Sequence, residues 1–253
     1  MLSACDLTVE VGGVRVCRDL SVEFRPGESW ALLGRNGVGK STLLYTLAGL
    51  RAPRSGEVVL AAKPLRSLSR RSIARSIALL PQNSEDLFPS TVLETALVGR
   101  YAHRPFWRLE SQQDRDIAQQ ALRRVDLLDF QHRPTQSLSG GERRRLGIAS
   151  VLAQDARLFL LDEPTNHLDL SYQIAVLSLF QSLAREEGRA SIAVMHDATL
   201  AYRFFDHVLL LFGQGESEWG PMSTTLTAGN LERVLSHPIV AIETPIGRAF
   251  LPR

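Results

Sequence analysis

Apolar residues recur with different spacings along the chain, and each spacing predicts a different element. Across residues 5–25, apolar and polar side chains alternate in two runs joined at Gly12 and Gly13, a pattern that predicts a β-hairpin. Short continuous apolar runs are typical of buried strands in a parallel sheet. Such runs occupy residues 29–33, 57–60, 76–80, 158–161, 190–195 and 207–212.

Residues 84–150 interrupt this succession of strands. They contain no convincing strand pattern, and apolar residues at helical spacing cover 91–99, 114–127 and 141–154. Strand and helix patterns alternate again after residue 157. Because parallel strands require crossover connections, the pattern predicts a three-layer α/β sandwich with an N-terminal antiparallel β subdomain and an inserted helical subdomain.

These segments are expected to form a single domain over residues 1–253. The 253 residues, of which 44% are hydrophobic, are enough for one substantial core. The α/β core is predicted to comprise 1–83 and 151–220, and the helical subdomain 84–150. A C-terminal extension with one helix is expected over 221–253.

A complete phosphate-binding sequence follows the apolar run 29–33. It fits G-x-x-x-x-G-K-[ST] at every fixed position and precedes a segment of helical character. Successive backbone N–H groups of such a loop form an anion-binding nest, and the helix N-terminus favours phosphate. Lys40 is expected to reach the β- and γ-phosphates, and the Ser41 hydroxyl to ligate Mg²⁺. The residues of the loop are Gly34, Arg35, Asn36, Gly37, Val38, Gly39, Lys40, Ser41 and Thr42.

Polar side chains follow three of the predicted strands. Asp162 and Glu163 end the run 158–161, Gln82 follows 76–80, and His196 follows 190–195. The carboxyl ends of strands in an open α/β sheet line the crevice where ligands bind. The sequence Asp-Glu-Pro is also typical of a surface turn. Its occurrence together with a phosphate loop favours a nucleotide-binding site instead.

Leu138-Ser139-Gly140-Gly141-Glu142, together with these motifs in this order, carries a resemblance to a known family. Over about residues 1–220 the chain resembles the ATP-binding subunit of ATP-binding cassette (ABC) transporters, which have a P-loop NTPase fold. The resemblance implies that Ser139, Gly140 and Gly141 of this signature pentapeptide (residues 138–142) contact the γ-phosphate held by another protomer. A homodimer with two shared ATP sites is therefore expected.

The same resemblance assigns roles to the strand-end residues. It implies that Glu163 is the general base and that His196 contacts the γ-phosphate. Asp162 is expected to hold Mg²⁺ through water, and Gln82 to sense Mg²⁺ and the attacking water. Asp169 matches the aspartate that communicates across the dimer, whereas His167 is expected to be structural.

One position departs from the family. An aromatic residue usually stacks on adenine about 29 positions before the phosphate-loop lysine. Here that register falls on Val11, and residues 7–16 contain no aromatic side chain. Val11 or Val16 offers only apolar contact, so weak discrimination among purine triphosphates is expected.

The segment after Gln82 bears on what is transported. Val98-Gly99-Arg100-Tyr101-Ala102-His103 is similar to the ATPase subunits of importers for cobalamin, haem and iron-siderophores. The resemblance implies transmembrane permease subunits and a substrate-binding protein as partners. Tyr101, Phe106 and Trp107 either contact the permease or pack inside the helical subdomain. An exporter subunit and a non-transport ABC ATPase stay open as alternatives.

Charge and composition narrow the location and the partners. The net charge is +2 with mixed signs, so no nucleic-acid partner is expected. The chain has no apolar run of about 20 residues and no secretory signal, which predicts a peripheral protein at the cytoplasmic face of the cell membrane. Cys5 and Cys17 are too few for a disulfide framework. The run 143–145, three arginines, is either a solvated helix face or a phosphate contact.

Overall fold

A computed structural model of the chain describes residues 1–82, 89–104 and 109–253. The strands in that part of the chain are β1 (Leu2–Val11), β2 (Val14–Phe24), β3 (Ser29–Gly34), β4 (Ser55–Leu60), β5 (Lys63–Pro64), β6 (Ile77–Leu80), β7 (Leu158–Asp162), β8 (Ala190–Val194), β9 (His207–Gly213), β10 (Glu216–Pro221), β11 (Ile239–Thr244) and β12 (Gly247–Pro252). The α-helices are α1 (Lys40–Leu47), α2 (Arg70–Ser76), α3 (Val92–Val98), α4 (Gln112–Arg124), α5 (Gly140–Ala153), α6 (Leu170–Glu187), α7 (Ala198–Phe204), α8 (Met222–Thr225) and α9 (Ala228–Leu235).

The predicted N-terminal hairpin is confirmed. Strands β1 and β2 are antiparallel, and Val11 pairs with Val14 across a two-residue turn. Gly12 and Gly13 both have positive φ, 56° and 79°, as a type I′ hairpin turn requires. With β4 and β5 the hairpin forms a four-stranded antiparallel sheet in the order β2-β1-β4-β5.

The second sheet has six strands in the order β10-β9-β3-β8-β7-β6. Neighbouring strands from β9 to β6 are parallel, and β10 is antiparallel to β9. Every residue of β7 and of β8 is buried, in agreement with their continuous apolar sequences. Because these strands are parallel, the residues that follow β3, β6, β7 and β8 lie at one edge of the sheet.

Side chains on the two faces of the central sheet enter different cores. Trp30 and Leu32 of β3 pack with the antiparallel sheet and α1. Ala31 and Leu33 face the opposite way and pack with helices α3 to α7. Alternation along a strand therefore produces the three layers, and the predicted three-layer α/β sandwich is confirmed.

The helices of the insertion begin with matching local interactions. Thr91 and Glu94, Ser111 and Asp114, and Ser139 and Glu142 form capping boxes at the starts of α3, α4 and α5. Each box satisfies backbone N–H groups that a helix start leaves without partners. The described residues between 89 and 150 contain no strand, only a bridge of Thr91 with Pro134.

The C-terminal extension differs from the single predicted helix. It contains α8, α9 and the β11–β12 hairpin. The hairpin is held against α7, because Phe250 packs on Tyr202 at 5.9 Å and its N–H donates to the Thr199 hydroxyl. Strands β5 and β10 and helices α2 and α7 also escaped prediction. These elements have two to seven residues, too few to establish a periodicity.

Two predicted absences concern the membrane and the cysteines. Among residues 1–82, 89–104 and 109–253, no helix combines the length and the apolar character needed to cross a bilayer. Cys5 is exposed and Cys17 is buried, and both are free thiols.

Candidate functional site

The phosphate loop connects β3 to α1, and close packing requires a glycine at its position 39. Gly39 has a φ of 105°. A Cβ atom there would lie 2.4 Å from a methyl carbon of Val16, so only glycine fits. Helix α1 has no side-chain cap at Gly39, which leaves its first N–H groups for an external acceptor. The loop therefore has the local structure of an anion site.

Lys40 is held inside the loop and is only 5% exposed. Its Nζ donates to the carbonyl oxygens of Gly34, at 2.8 Å, and Arg35, at 3.1 Å. Burial lowers the pKa of Lys40, and the charges of Glu163 and Asp162 partly oppose that effect. The two carbonyl oxygens thus hold the amine inside the loop, near two carboxylates.

A cavity of about 590 Å³ opens above the loop. The ends of β6, β7 and β8 bring Gln82, Glu163 and His196 to its wall. A slightly larger cavity, about 610 Å³, is lined by residues between Thr46 and Ile73 and by none of the predicted site residues. The residues that line the cavity above the loop are Val11, Asn36, Gly37, Gly39, Lys40, Ser41, Thr42, Gln82, Glu163, Asn166 and His196.

Glu163 lies at the centre of this wall and is 8% exposed. His196 Nε2 lies 2.6 Å from Oε1, Gln82 Nε2 donates to Oε2 at 2.9 Å, and the Asn166 amide also donates to Oε2. Burial would raise the pKa of Glu163, but the interactions with His196, Gln82 and Asn166 together hold that pKa below its usual value. The carboxylate is therefore stabilised in its ionised form.

The backbone of Glu163 is strained as well. Its φ is +52°, in the left-handed region that non-glycine residues seldom adopt. Such strain persists only where the surroundings impose it, and it concentrates at functional sites.

Asp162 lies behind Ser41 with no exposed surface. Burial raises its pKa and the Glu163 charge adds to the effect, while Ser41, Arg144 and Tyr45 lower it in part. Neither the Ser41 nor the Tyr45 hydroxyl reaches hydrogen-bond geometry, so both carboxylate oxygens lack partners among the described residues. A buried carboxylate without partners costs free energy, and a hard cation with oxygen ligands would satisfy it. The residues present therefore fit a magnesium ion.

The signature pentapeptide lies elsewhere. Ser139 and Gly140 are exposed, and a Cβ atom on Gly140 would meet nothing within 4 Å. A Cβ on Gly141 would lie 3.2 Å from the carbonyl oxygen of His167, in the loop that ends at Asp169. Asp169 accepts the N–H of Tyr172 and caps α6. None of residues 139–141 lines the cavity above the phosphate loop of its own chain.

The arginine run has three different environments. Arg143 is exposed, whereas Arg144 and Arg145 are 6% and 8% exposed, so a solvated face is wrong for these two. Neither lines the cavity above the loop.

Two further residues of the site were missed, although sequence signals existed. Asn166 lies three residues after Glu163, and Tyr45 follows Ser41 by four residues, one helical turn.

The remaining predicted contacts divide between the cavity and the helical segment. Val11 lines the cavity, whereas Val16 is fully buried against Gly39 and is not available to a base. Tyr101 is 59% exposed, which excludes interior packing for this ring. Phe106 and Trp107 lie outside the described residues, as does the stretch 83–88.

Arg100 and His103, on either side of Tyr101, are structural. Arg100 is 7% exposed and pairs with Asp114 at 3.0 Å, and it also donates to the carbonyl oxygen of Ala153. The ring of His103 bonds the carbonyl of Gln154. These contacts tie α3, α4 and α5 together and leave only the tyrosine of the Gly-Arg-Tyr stretch at the surface.

The chain is similar in sequence and in fold to known proteins. The family model for ABC transporters matches residues 17–166. The ferric enterobactin transport ATP-binding protein FepC of Escherichia coli (strain K12) is 36% identical over 240 residues, covering 95% of this chain and 89% of that protein. An inward-facing ABC transporter, proposed to be of the metal-chelate type, superposes with a TM-score of 0.87 and 29% identity, covering 100% and 97% of the two chains. A dimeric ATP-binding cassette bound to ADP and Pi has a TM-score of 0.76 and 26% identity, covering 88% and 99%.

Proposed function

Because the chain belongs to the ABC transporter family and is an ATPase of that family, we propose that it powers import of a metal chelate through a membrane permease. One observation carries the import proposal. The similarity to the transporter of the proposed metal-chelate type extends over the whole chain, and so includes the C-terminal extension. An iron-siderophore, haem or cobalamin is the class of substrate that follows.

The phosphate loop, from Gly34 to Thr42, binds the triphosphate of ATP in this proposal. The N–H groups at the start of α1 and the Lys40 ammonium supply positive potential for the phosphates. Ser41, Gln82 and Asp162 would hold a magnesium ion, which would supply positive charge next to the phosphate oxygens. The unpartnered oxygens of Asp162 support this assignment.

Glu163 acts as the general base on water. Its carboxylate is ionised, buried and directed into the cavity that holds the phosphate loop, as a base near the γ-phosphate must be. The donors from Gln82, Asn166 and His196 orient it. When ATP and water enter, Gln82 and His196 exchange contacts with Glu163 for contacts with the water and the γ-phosphate.

Ser139, Gly140 and Gly141 complete the site of a second copy of the chain. The exposure of Ser139 and Gly140, and the absence of all three residues from the cavity above the phosphate loop of the same chain, support a homodimer with two shared sites. In domain terms, 1–83 and 151–220 form the nucleotide-binding core. Residues 84–150 form the helical subdomain that carries the signature, and 221–253 form the C-terminal extension.

The permease contact that we propose is a groove beside α3. A cleft of about 290 Å³ separates the end of β6 from α3 and α5. Val98, on its rim, is 51% exposed, and the nearby Tyr101 is 59% exposed. Aromatic and apolar anchors of this kind are enriched at protein interfaces. Binding there keeps the chain at the cytoplasmic face of the membrane, and a substrate-binding protein contacts the permease on the other side.

Substitution of Glu163 tests the proposal. Purified Glu163→Gln is expected to bind ATP like the native chain and to hydrolyse it about 10²–10⁴ times more slowly. Glu186→Gln is the matched control, because Glu186 is an exposed glutamate near the end of α6. In cells that lack the chain, the native protein and the control should restore uptake of a radiolabelled ferric siderophore, haem or cobalamin, and Glu163→Gln should not.

Two outcomes would contradict the parts of this proposal separately. Hydrolysis by Glu163→Gln at a near-native rate would remove Glu163 from its role as the base. Unchanged uptake of all three chelates in cells without the chain would reject import of a metal chelate and favour an exporter or another ABC ATPase.

A further inference from the structure

Arg144 lies one turn inside α5, the helix that begins with the signature pentapeptide. It is 6% exposed, and its guanidinium donates to five backbone carbonyl oxygens. No phosphate-loop atom is among these acceptors. The acceptors are Pro81 at 2.7 Å, Gln82 at 3.1 Å, Glu163 at 2.7 Å, Pro164 at 3.4 Å, and Asp162.

These carbonyls belong to two separate strand ends. Pro81 and Gln82 follow β6, and residues 162–164 end β7 and follow it. The donors of an arginine form a rigid planar fork, so one side chain fixes several acceptors in a single geometry. The group thereby joins the start of α5 to the backbone of the proposed Mg²⁺ ligands and the proposed base.

We propose that Arg144 is a positioning residue that fixes the signature pentapeptide relative to Gln82 and Glu163. This inference rests on the proposed function, in which Ser139 to Gly141 contact ATP held by a partner protomer. Because Arg144 connects the two regions, the signature is placed correctly for the partner protomer only when the two strand ends of its own chain are in their catalytic arrangement. Docking of a second copy and alignment of the base are then one event.

The neighbouring Arg145 shows that this attachment is specific. It is 8% exposed, and its Nη1 donates to the carbonyl oxygens of Val125 and Asp126. Its guanidinium also lies 4.1 Å from the centre of the Tyr172 ring. Arg145 therefore anchors α5 to the end of α4 and to α6, and its hydrogen bonds within the described part of the chain do not reach the ends of β6 and β7.

Substitution of Arg144 or Arg145 by lysine keeps the positive charge but removes the planar geometry of the guanidinium. An ammonium keeps the charge but is compact and cannot bridge two strand ends. Arg144→Lys is therefore expected to lower kcat about tenfold to a hundredfold, the order of loss that a 1 Å misplacement produces. The KM and the Kd for ATP should change less than about twofold, because Arg144 does not contact the phosphate loop.

Arg145→Lys is the matched control, since it removes an equally buried guanidinium from the same helix. Both variants leave carbonyls unpaired and are expected to melt at lower temperature. Rates are therefore divided by the concentration of sites that bind ATP, which counts folded molecules. If Arg144→Lys does not fold, Arg144→Gln, whose amide keeps two donors, takes its place in the same assay.

Hydrolysis and ATP-dependent dimerisation are measured for native, Arg144→Lys, Arg145→Lys and Glu163→Gln chains. A selective fall in kcat for Arg144→Lys, with weaker dimerisation when it is combined with Glu163→Gln, supports the inference. Equal kcat per folded site for the two lysine variants, or a loss in KM alone, overturns it. If Glu163→Gln hydrolyses ATP normally, the proposed function has failed, whereas a slow Glu163→Gln with a normal Arg144→Lys refutes only the role of Arg144.

Discussion

The proposed catalytic edge, meaning the ends of β6, β7 and β8 with Gln82, Glu163 and His196, contrasts with the signature pentapeptide. At the edge, Glu163 is 8% exposed and receives three side-chain donors from its own chain. Ser139 and Gly140 are exposed and face no phosphate loop in their own chain. One chain thus brings the proposed base and its hydrogen-bond partners together, whereas Ser139 and Gly140 at the start of the signature are exposed.

The two regions also differ in how well their polar groups are satisfied. The Ser139 hydroxyl accepts the N–H of Glu142, and the Glu142 carboxylate accepts the N–H of Ser139 at 2.7 Å. At the edge, Asp162 has two oxygens without partners and Glu163 has a strained backbone. The difference shows that the polar groups at the start of the signature are satisfied within the chain, whereas those of Asp162 are not. This contrast agrees with the proposal that a cation and a nucleotide complete the edge.

The largest expected effect comes from blocking the signature. Ser139→Arg places a bulky cation where a partner's nucleotide must dock, while the phosphate loop of the same chain is untouched. ATP should still bind the monomer, but dimerisation should fail and hydrolysis should fall by at least about a hundredfold, the loss typical of removing transition-state contacts. Equilibrium ATP binding, light scattering and steady-state hydrolysis measure the three quantities.

Ser111→Arg is the matched control for this variant. Ser111 caps α4 with the same capping-box geometry, so its substitution removes a comparable cap, worth about 1 kcal/mol, away from the signature. Retained hydrolysis in Ser111→Arg and loss in Ser139→Arg would separate docking from stability. If the native chain hydrolyses ATP at a specific rate that does not change with protein concentration, the shared site is wrong.

The next largest expected effect is on the stability of the chain and comes from the buried carboxylate of Asp162. A carboxyl whose pKa is raised in the folded chain, as burial does for Asp162, binds its proton more tightly there than in the unfolded chain. Its ionisation therefore destabilises the fold fully above the folded pKa, and that cost disappears as the pH falls below the unfolded value, about 3.9. Asp162→Asn should raise the melting temperature of the nucleotide-free chain at pH 7 and reduce Mg²⁺-dependent hydrolysis.

The melting comparison needs a pH series and a surface control. Each kcal/mol of stabilisation corresponds to about 2–4 °C in a protein of this size, and the gain for Asp162→Asn should shrink as the pH approaches 4. Asp129→Asn changes an exposed aspartate and should shift melting very little. A lower melting temperature for Asp162→Asn at pH 7 would contradict the account of a buried carboxylate that awaits a cation.

The smallest expected effect lies at the base of the nucleotide. Val11 lines the cavity, and no Phe, Tyr or Trp among residues 1–82, 89–104 and 109–253 does, so the native chain should prefer ATP over GTP by less than about tenfold. Val11→Tyr should tighten ATP binding by about 0.5–1.5 kcal/mol and leave kcat unchanged, since the added ring is remote from the γ-phosphate. Competition binding with ATP, GTP and CTP measures both statements.

Val14→Tyr provides the control in the same hairpin. Val14 pairs with Val11 across the turn but does not line the cavity, so its substitution should leave binding unchanged. Equal tightening by both rings would mean that the effect is not stacking at the site. A native preference for ATP of more than a hundredfold would show that another residue already recognises the base.

Local signals accounted for much of this molecule. The alternating runs around Gly12 and Gly13 predicted the hairpin, and the buried runs predicted most central strands, because burial and pleating act residue by residue. The C-terminal hairpin was missed, since β11 and β12 have six residues each, half of these residues are exposed and only Phe250 is buried. Without a buried face, a short strand has little apolar pattern to detect.

The sequence by itself determined the phosphate loop, the layer order of the sandwich and the candidate residues at the strand ends. Only the tertiary structure decided their partners: Gln82 meets Glu163 across 81 positions of sequence. The arginine run illustrates the physical reason. Successive residues of a helix point about 100° apart, so three identical side chains have different partners. Arg143 is exposed and donates to the carbonyl oxygen of Gln136, Arg144 donates to two strand ends, and Arg145 donates to the end of α4. Which surface each meets depends on packing between distant elements, which no local spacing encodes.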